Sequence, residues 1–179
     1  VDRCEECGFI YDDLPVTEVH SRLRAGPGRY RRALAQVGEE AARHRPRPGV
    51  WSALEYTCHV RDVLLVQRDR TVQALVETNP GFARMHRDER VSLARYDAHP
   101  SPVVAGQLEM AAELCATVFE GLTADQWARP LIYNYPAPSP RDLAWLARNT
   151  VHEVEHHLGD IRTVIAQVTA TSPDRGRRT

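Results

Sequence analysis

Between residues 143 and 168, Leu143, Ala147, Thr150, Val154, Leu158, Ile161, Ile165 and Val168 define a core stripe. Steps of three and four make one stripe on an α-helix, because a turn takes about 3.6 residues. A helix this long with one apolar face must bury that face against other helices, so the stripe demands helical partners. The chain supplies three more candidates. A helical pattern covers about 17–43, broken or kinked at Gly26-Pro27-Gly28. A second runs from Ser52 to Val76; Ser52 and Glu55 stand at capping-box spacing, after a linker containing Pro46, Pro48 and Gly49. A third spans about 102–121 and stops at Gly121. The last helix is expected to begin at Ser139 or Pro140. Four such helices predict an all-α fold, a four-helix bundle.

Two other stretches interrupt the pattern. Residues 79–102 form a long polar excursion with a short helical turn near 88–95. LIYNYPAPSP (131–140) is β-prone and reads as a strand-like strap or hairpin. Residues 1–16 read as an extension carrying a CxxC, 17–170 as the bundle, and 171–179 as a disordered tail. Phe9, Ile10 and Tyr11 are too apolar to be left in water, so the extension is expected to fold back over the bundle.

Composition restricts the partners. The net charge of -1 argues against nucleic acid, which usually meets a basic surface. No apolar run approaches the roughly 18 residues needed to cross a bilayer. The N-terminal residues VDRCEECGFIYDD lack the signal-peptide pattern, so a cytoplasmic location is expected. All 23 basic residues are Arg. This bias suggests a GC-rich, actinobacterium-like source. Cys58 and Cys115 fall inside helical patterns and are expected to pack as small hydrophobes. Cys4 and Cys7 stand alone as half of a zinc ribbon: a structural cap, a metal knuckle completed by ligands elsewhere, or a redox pair.

The densest chemistry is HEVEHH at 152–157. Helical phase divides it. His157 falls roughly 40° from the centre of the apolar stripe and Glu153 roughly 80° away on the same flank. His152 and His156 face the other way and are expected in solvent. A half-buried carboxylate and imidazole one turn apart can converge on one divalent ion, which removes the cost of burying the charge. His59, on a flank of the second helix, is the candidate third ligand. Three ligands and an open position describe a catalytic metal site. Zn²⁺ fits this donor set; Ni²⁺, Fe²⁺ and Mn²⁺ also take such ligands. The plainer alternative is a solvated flank with a Glu–His pair worth a few tenths of a kcal/mol. A shift of one residue in register would exchange the pairs and make His152 and His156 the ligands.

WSALEYTCHVRDVL (51–64) and EVEHHLGDI (153–161) together resemble the DinB/YfiT-like superfamily, over about residues 17–168. The resemblance implies a metal-containing four-helix bundle with ligands at His59, Glu153 and His157. Many members carry His at the first position of the last pair. Glu153 departs from them and resembles the mycothiol-dependent maleylpyruvate isomerase branch. The implied activity is a metal-dependent transferase or isomerase that uses a small thiol, mycothiol in such a cell, on a small electrophilic metabolite. A non-catalytic, stress-related metal-binding protein and a metal-dependent hydrolase or lyase are the alternatives. Asp160 is placed to orient a ligand, with Arg61 a further catalytic candidate. Arg141, Arg162 and Tyr133 are candidates for holding thiol or anionic substrate. Bundles of this kind often pair, so a homodimer is possible.

Overall fold

The computed structural model describes residues 1–171; most of the tail expected to be disordered lies outside them. In chain order the helices are α1 (Val19–Ala25), α2 (Pro27–Val37), α3 (Glu39–Arg43), α4 (Ala53–Val76), α5 (Arg87–Leu93), α6 (Ser101–Glu120), α7 (Ala124–Trp127) and α8 (Leu143–Thr171). Strands β1 (Pro130–Tyr133) and β2 (Ser139–Asp142) form an antiparallel hairpin. The bundle proper is α1–α2, α4, α6 and α8, so the four-helix expectation holds. No helix among the described residues is long and apolar enough to cross a membrane.

Leu23, Tyr30, Leu64, Leu108, Phe119, Leu158 and Ile161 form the centre of the core. Cys58 and Cys115 are buried and free. The stripe on α8 packs as its spacing requires: every residue named for it is buried except Ile165, which is partly buried against the same cluster. The break at Gly26 has a different cause from a turn. Gly26 keeps helical backbone angles (φ -62°, ψ -57°), and Pro27 occupies the first turn of α2. A Cβ on Gly26 would stand 2.6 Å from Val154 Cγ1. The glycine is needed for close approach of the α1–α2 junction to α8. Beside it, the Tyr30 hydroxyl donates to the Val154 carbonyl at 2.6 Å.

The expected capping box forms. Ser52 Oγ accepts from Glu55 N, and the Glu55 carboxylate accepts from Ser52 N at 2.8 Å. Arg45 donates to the same buried carboxylate at 2.6 Å. This lock sits one turn before His59 and sets the rotation of α4. Thr123 and Gln126 cap α7 in the same way.

The start of the last helix is corrected. Ser139 and Pro140 are strand residues, paired with Tyr133 and Ile132. The helix begins after Asp142, whose Oδ1 accepts from Trp145 N at 2.7 Å, the geometry of an N-cap. The excursion at 79–102 joins the hairpin: Phe82 N donates to Ile132 O, and Ile132 N donates to Pro80 O. Asp62 on α4 anchors its far end by accepting from Tyr96 Oη at 2.6 Å.

Candidate metal centre

α4 and α8 pack side by side, and their facing flanks bring His59, Glu153 and His157 together. One ligand atom from each lies within 4.8 Å of the others. His157 Nε2 is 3.3 Å from Glu153 Oε2. The His59 and His157 rings meet edge to face, with centroids 5.0 Å apart. Trp51 backs the His59 ring and Tyr56 backs the His157 ring. His59 Nδ1 is buried without a hydrogen-bond partner. On the outer side of His157, Asp160 Oδ2 stands 2.7 Å from Nδ1. This carboxylate holds the ring so that Nε2 faces Glu153.

The charges follow from this packing. Burial, with the His157 charge adding to it, pushes the His59 imidazole down to about 4, so it is neutral near pH 7. Burial would also lower His157, but its contacts with Asp160 and Glu153 outweigh this and raise it to about 9. Burial disfavours ionised Glu153, yet the His157 hydrogen bond and the neighbouring imidazoles hold it at about 2. Metal-free, the cluster is therefore a neutral imidazole beside an imidazolium–carboxylate pair. Two imidazole nitrogens and a carboxylate oxygen are the donor set of a divalent ion, and an unpartnered buried nitrogen fits that use.

His59 and Glu153 form part of the wall of a cavity of about 280 Å3. The opposite wall is the excursion, including Arg84, Met85 and Arg87, and the hairpin, including Tyr133 and Asn134. Arg70 also lines it, buried. Its guanidinium donates to Gln67 Oε1 at 3.2 Å and to the Ala83 carbonyl, and lies over the Phe82 and Tyr133 rings. Burial lowers its pKa from the ordinary arginine value. Sequence reasoning overlooked Arg70. The signal was its place eleven residues after His59, about three helical turns along the same face.

The other named residues separate. Tyr133 lines the cavity, with its hydroxyl 3.5 Å from Asn149 Nδ2. Arg61 turns away to Asp62 (2.8 Å) and Gln107 (2.6 Å) and covers Tyr96. Arg141 pairs with Asp2 at 3.0 Å and lies over Trp145. Arg162 is exposed on α8. None of these three arginines lines the cavity.

The outward pair of HEVEHH requires a correction. His152 is buried, at 7% exposure, and the His156 side chain is 15% exposed. The helix alone would leave both in water, but the N-terminal segment covers that face. Tyr11 stacks on Trp145, Phe9 packs on the His152 ring, and Arg148 Nε donates to Leu14 O at 2.9 Å. Cys4 Sγ stands 3.7 Å from His156 Nδ1.

A helical bundle with a histidine–carboxylate cluster between its second and last long helices, opening into a side cavity, defines the class. The chain belongs to the DinB superfamily, whose sequence profile matches residues 22–161. Among solved structures it is similar to YfiT from Bacillus subtilis, described as a probable metal-dependent hydrolase with an unusual four-helix bundle topology. That likeness has a TM-score of 0.78 at 15% identity, covering 92% of this chain and 93% of that one. It is also similar to the mycothiol-dependent maleylpyruvate isomerase, with a TM-score of 0.68 at 17% identity, covering 86% of this chain and 63% of that longer one. At these identities the likeness establishes the fold. No curated protein sequence matches the chain.

Proposed function

We propose that the chain is a metal-dependent enzyme that uses a small thiol, of the mycothiol class, to transfer to or isomerise a small electrophilic metabolite. The observation that carries this reading is the convergence of His59, Glu153 and His157, two of which, His59 and Glu153, line a cavity that also holds the buried Arg70 cation. His59, Glu153 and His157 are the proposed ligands of a divalent ion, zinc by donor set, with Ni²⁺, Fe²⁺ and Mn²⁺ as alternatives. A bound ion there supplies Lewis acidity, which holds a thiol as the thiolate that attacks electrophiles.

The chain's own groups supply the rest. Asp160 fixes the His157 ring through Nδ1 and leaves Nε2 for the site. Arg70 offers a desolvated cation to a carboxylate of substrate or thiol, with one face covered by Tyr133. Arg87 lines the same cavity, alongside Asp88 and Glu89. Arg61, Arg141 and Arg162 do not line the cavity, so in this reading Arg70 takes the anion-anchoring role.

The likeness to the mycothiol-dependent isomerase supports the thiol, as does the carboxylate at Glu153. The likeness to YfiT supports a second reading, hydrolysis by metal-activated water with no thiol. Metal-loaded protein is incubated with mycothiol and a panel of electrophiles that includes maleylpyruvate and activated esters. The proposal expects metal-dependent thiol adducts or isomerised product, lost in His157→Ala. Turnover without thiol selects the hydrolytic reading. No metal-dependent turnover with either class contradicts the enzyme reading and leaves a non-catalytic binding protein.

A further inference from the structure

The N-terminal cysteines have acquired partners that neither the metal cluster nor the cavity uses. Cys4, Cys7, His152 and His156 each place one ligand atom within 4.8 Å of the other three. The Cys4–His156 separation of 3.7 Å is close to the roughly 3.6 Å edge expected between a sulfur and a nitrogen on a tetrahedral zinc ion. We propose that Cys4, Cys7, His152 and His156 form a second, structural zinc site that clamps the N-terminal knuckle onto α8.

Three observations and one comparison carry it independently of the proposed activity. First, the knuckle is folded for the purpose. Gly8 N donates to Cys4 O and Cys4 N to Phe9 O, both at 2.9 Å, and Gly8 takes the left-handed φ of +76° that closes the turn.

Second, His152 Nε2 is buried with no hydrogen-bond partner. Its other nitrogen, Nδ1, lies 3.2 Å from the Tyr11 hydroxyl, which in turn donates to Asn149 Oδ1 at 3.3 Å. With the Tyr11 hydroxyl donating to Asn149, Nδ1 takes the donor role toward Tyr11 and the lone pair falls on Nε2, which has no hydrogen-bond partner. An orienting partner on the far nitrogen is the usual arrangement for a metal-bound histidine.

Third, His156 shows the complementary pattern. Its Nδ1 faces Cys4, while Nε2 lies 3.3 Å from Glu6 and 3.6 Å from Asp160. Asp160 thus contacts the outer nitrogens of both His156 and His157 and links the two centres.

Fourth, a disulfide between Cys4 and Cys7 would leave His152 Nε2 unpartnered, whereas a metal ion satisfies it. Two thiolates and two imidazoles close the coordination sphere, which is the pattern of a structural rather than a catalytic zinc. Binding sends the two thiol protons to solvent.

The test is metal analysis with cobalt spectroscopy on the full chain. Reduced wild-type protein loaded with Co²⁺ is expected to show an intense near-ultraviolet thiolate-to-cobalt charge-transfer band. Zinc-loaded protein should lose one metal equivalent in Cys4→Ser/Cys7→Ser and keep the other. The His59→Ala/His157→Ala variant should lose the other equivalent and keep the band. Wild type with one equivalent and a full thiolate band supports this site while removing the metal site of the proposed enzyme. Wild type with no thiolate band, or unchanged zinc content in Cys4→Ser/Cys7→Ser, overturns the proposal. The wild-type spectrum decides even where a variant does not fold.

Discussion

Metal binding at His59, Glu153 and His157 should expel one proton from the protein near neutral pH, and that proton should come from His157. In the metal-free protein, Asp160 at 2.7 Å and Glu153 at 3.3 Å hold this imidazole charged up to about 9. At pH 7 it is about 99% protonated, and an ion must displace the Nε2 proton to bind. Glu153, held at about 2, and His59, lowered to about 4, contribute no proton there. Proton competition therefore weakens apparent affinity about 100-fold at pH 7 relative to pH well above 9, close to tenfold per pH unit between. The cleanest assay is calorimetric zinc titration of Cys4→Ser/Cys7→Ser, which removes the thiol protons. Repeating it in buffers of different ionisation enthalpy counts the protons released. His157 is expected to contribute about one proton per ion at pH 7, falling towards zero above pH 9.5, on top of the proton that a zinc-bound water loses near neutral pH. Affinity independent of pH, with no proton released, would refute the charge arrangement derived for the cluster.

Further predictions test other parts of the structure. Without metal, His157 titrates higher in the folded chain than the ordinary histidine value. The stability it lends is present in full below about pH 6.5 and lost as pH rises through about 9, on the order of 3 kcal/mol, readable by urea denaturation across pH. Asp160→Asn removes the group that orients His157 and should weaken metal binding roughly 10- to 100-fold in a competing-chelator titration. Gly26→Ala forces a methyl against Val154 and should cost about 1–3 kcal/mol in thermal or urea unfolding. Arg70→Met should raise KM for carboxylated substrates by roughly tenfold or more, with metal content unchanged, because it deletes a buried charge-assisted donor.

Periodicity and end signals made the bundle legible. The α8 stripe and the Ser52–Glu55 box were readable because each depends only on neighbours in sequence. The start of α8 was not, because Ser139 and Pro140 are claimed by pairing with β1, which local propensity does not encode. Helical phase brought out Glu153 and His157, and their meeting with His59 follows from α4 packing on α8. Helical phase alone sends His152 and His156 to solvent, because the phase of one helix does not encode what covers its far face; Phe9 and Tyr11 lie there. A signal was available: C-x-x-C upstream and H-x-x-x-H downstream match the spacing of a two-cysteine, two-histidine zinc site when read together. Among so many arginines, composition could not separate Arg70, which lines the cavity, from Arg61, Arg141 and Arg162, which do not.

The central claim is that α8 carries a metal centre on its inward pair, completed by His59 from α4. Anomalous diffraction at the zinc edge, from crystals of the zinc-loaded chain, tests it most directly. The account predicts a peak bounded by His59, Glu153 and His157. No peak at that position, or density only between the cysteines and His152 and His156, would contradict it.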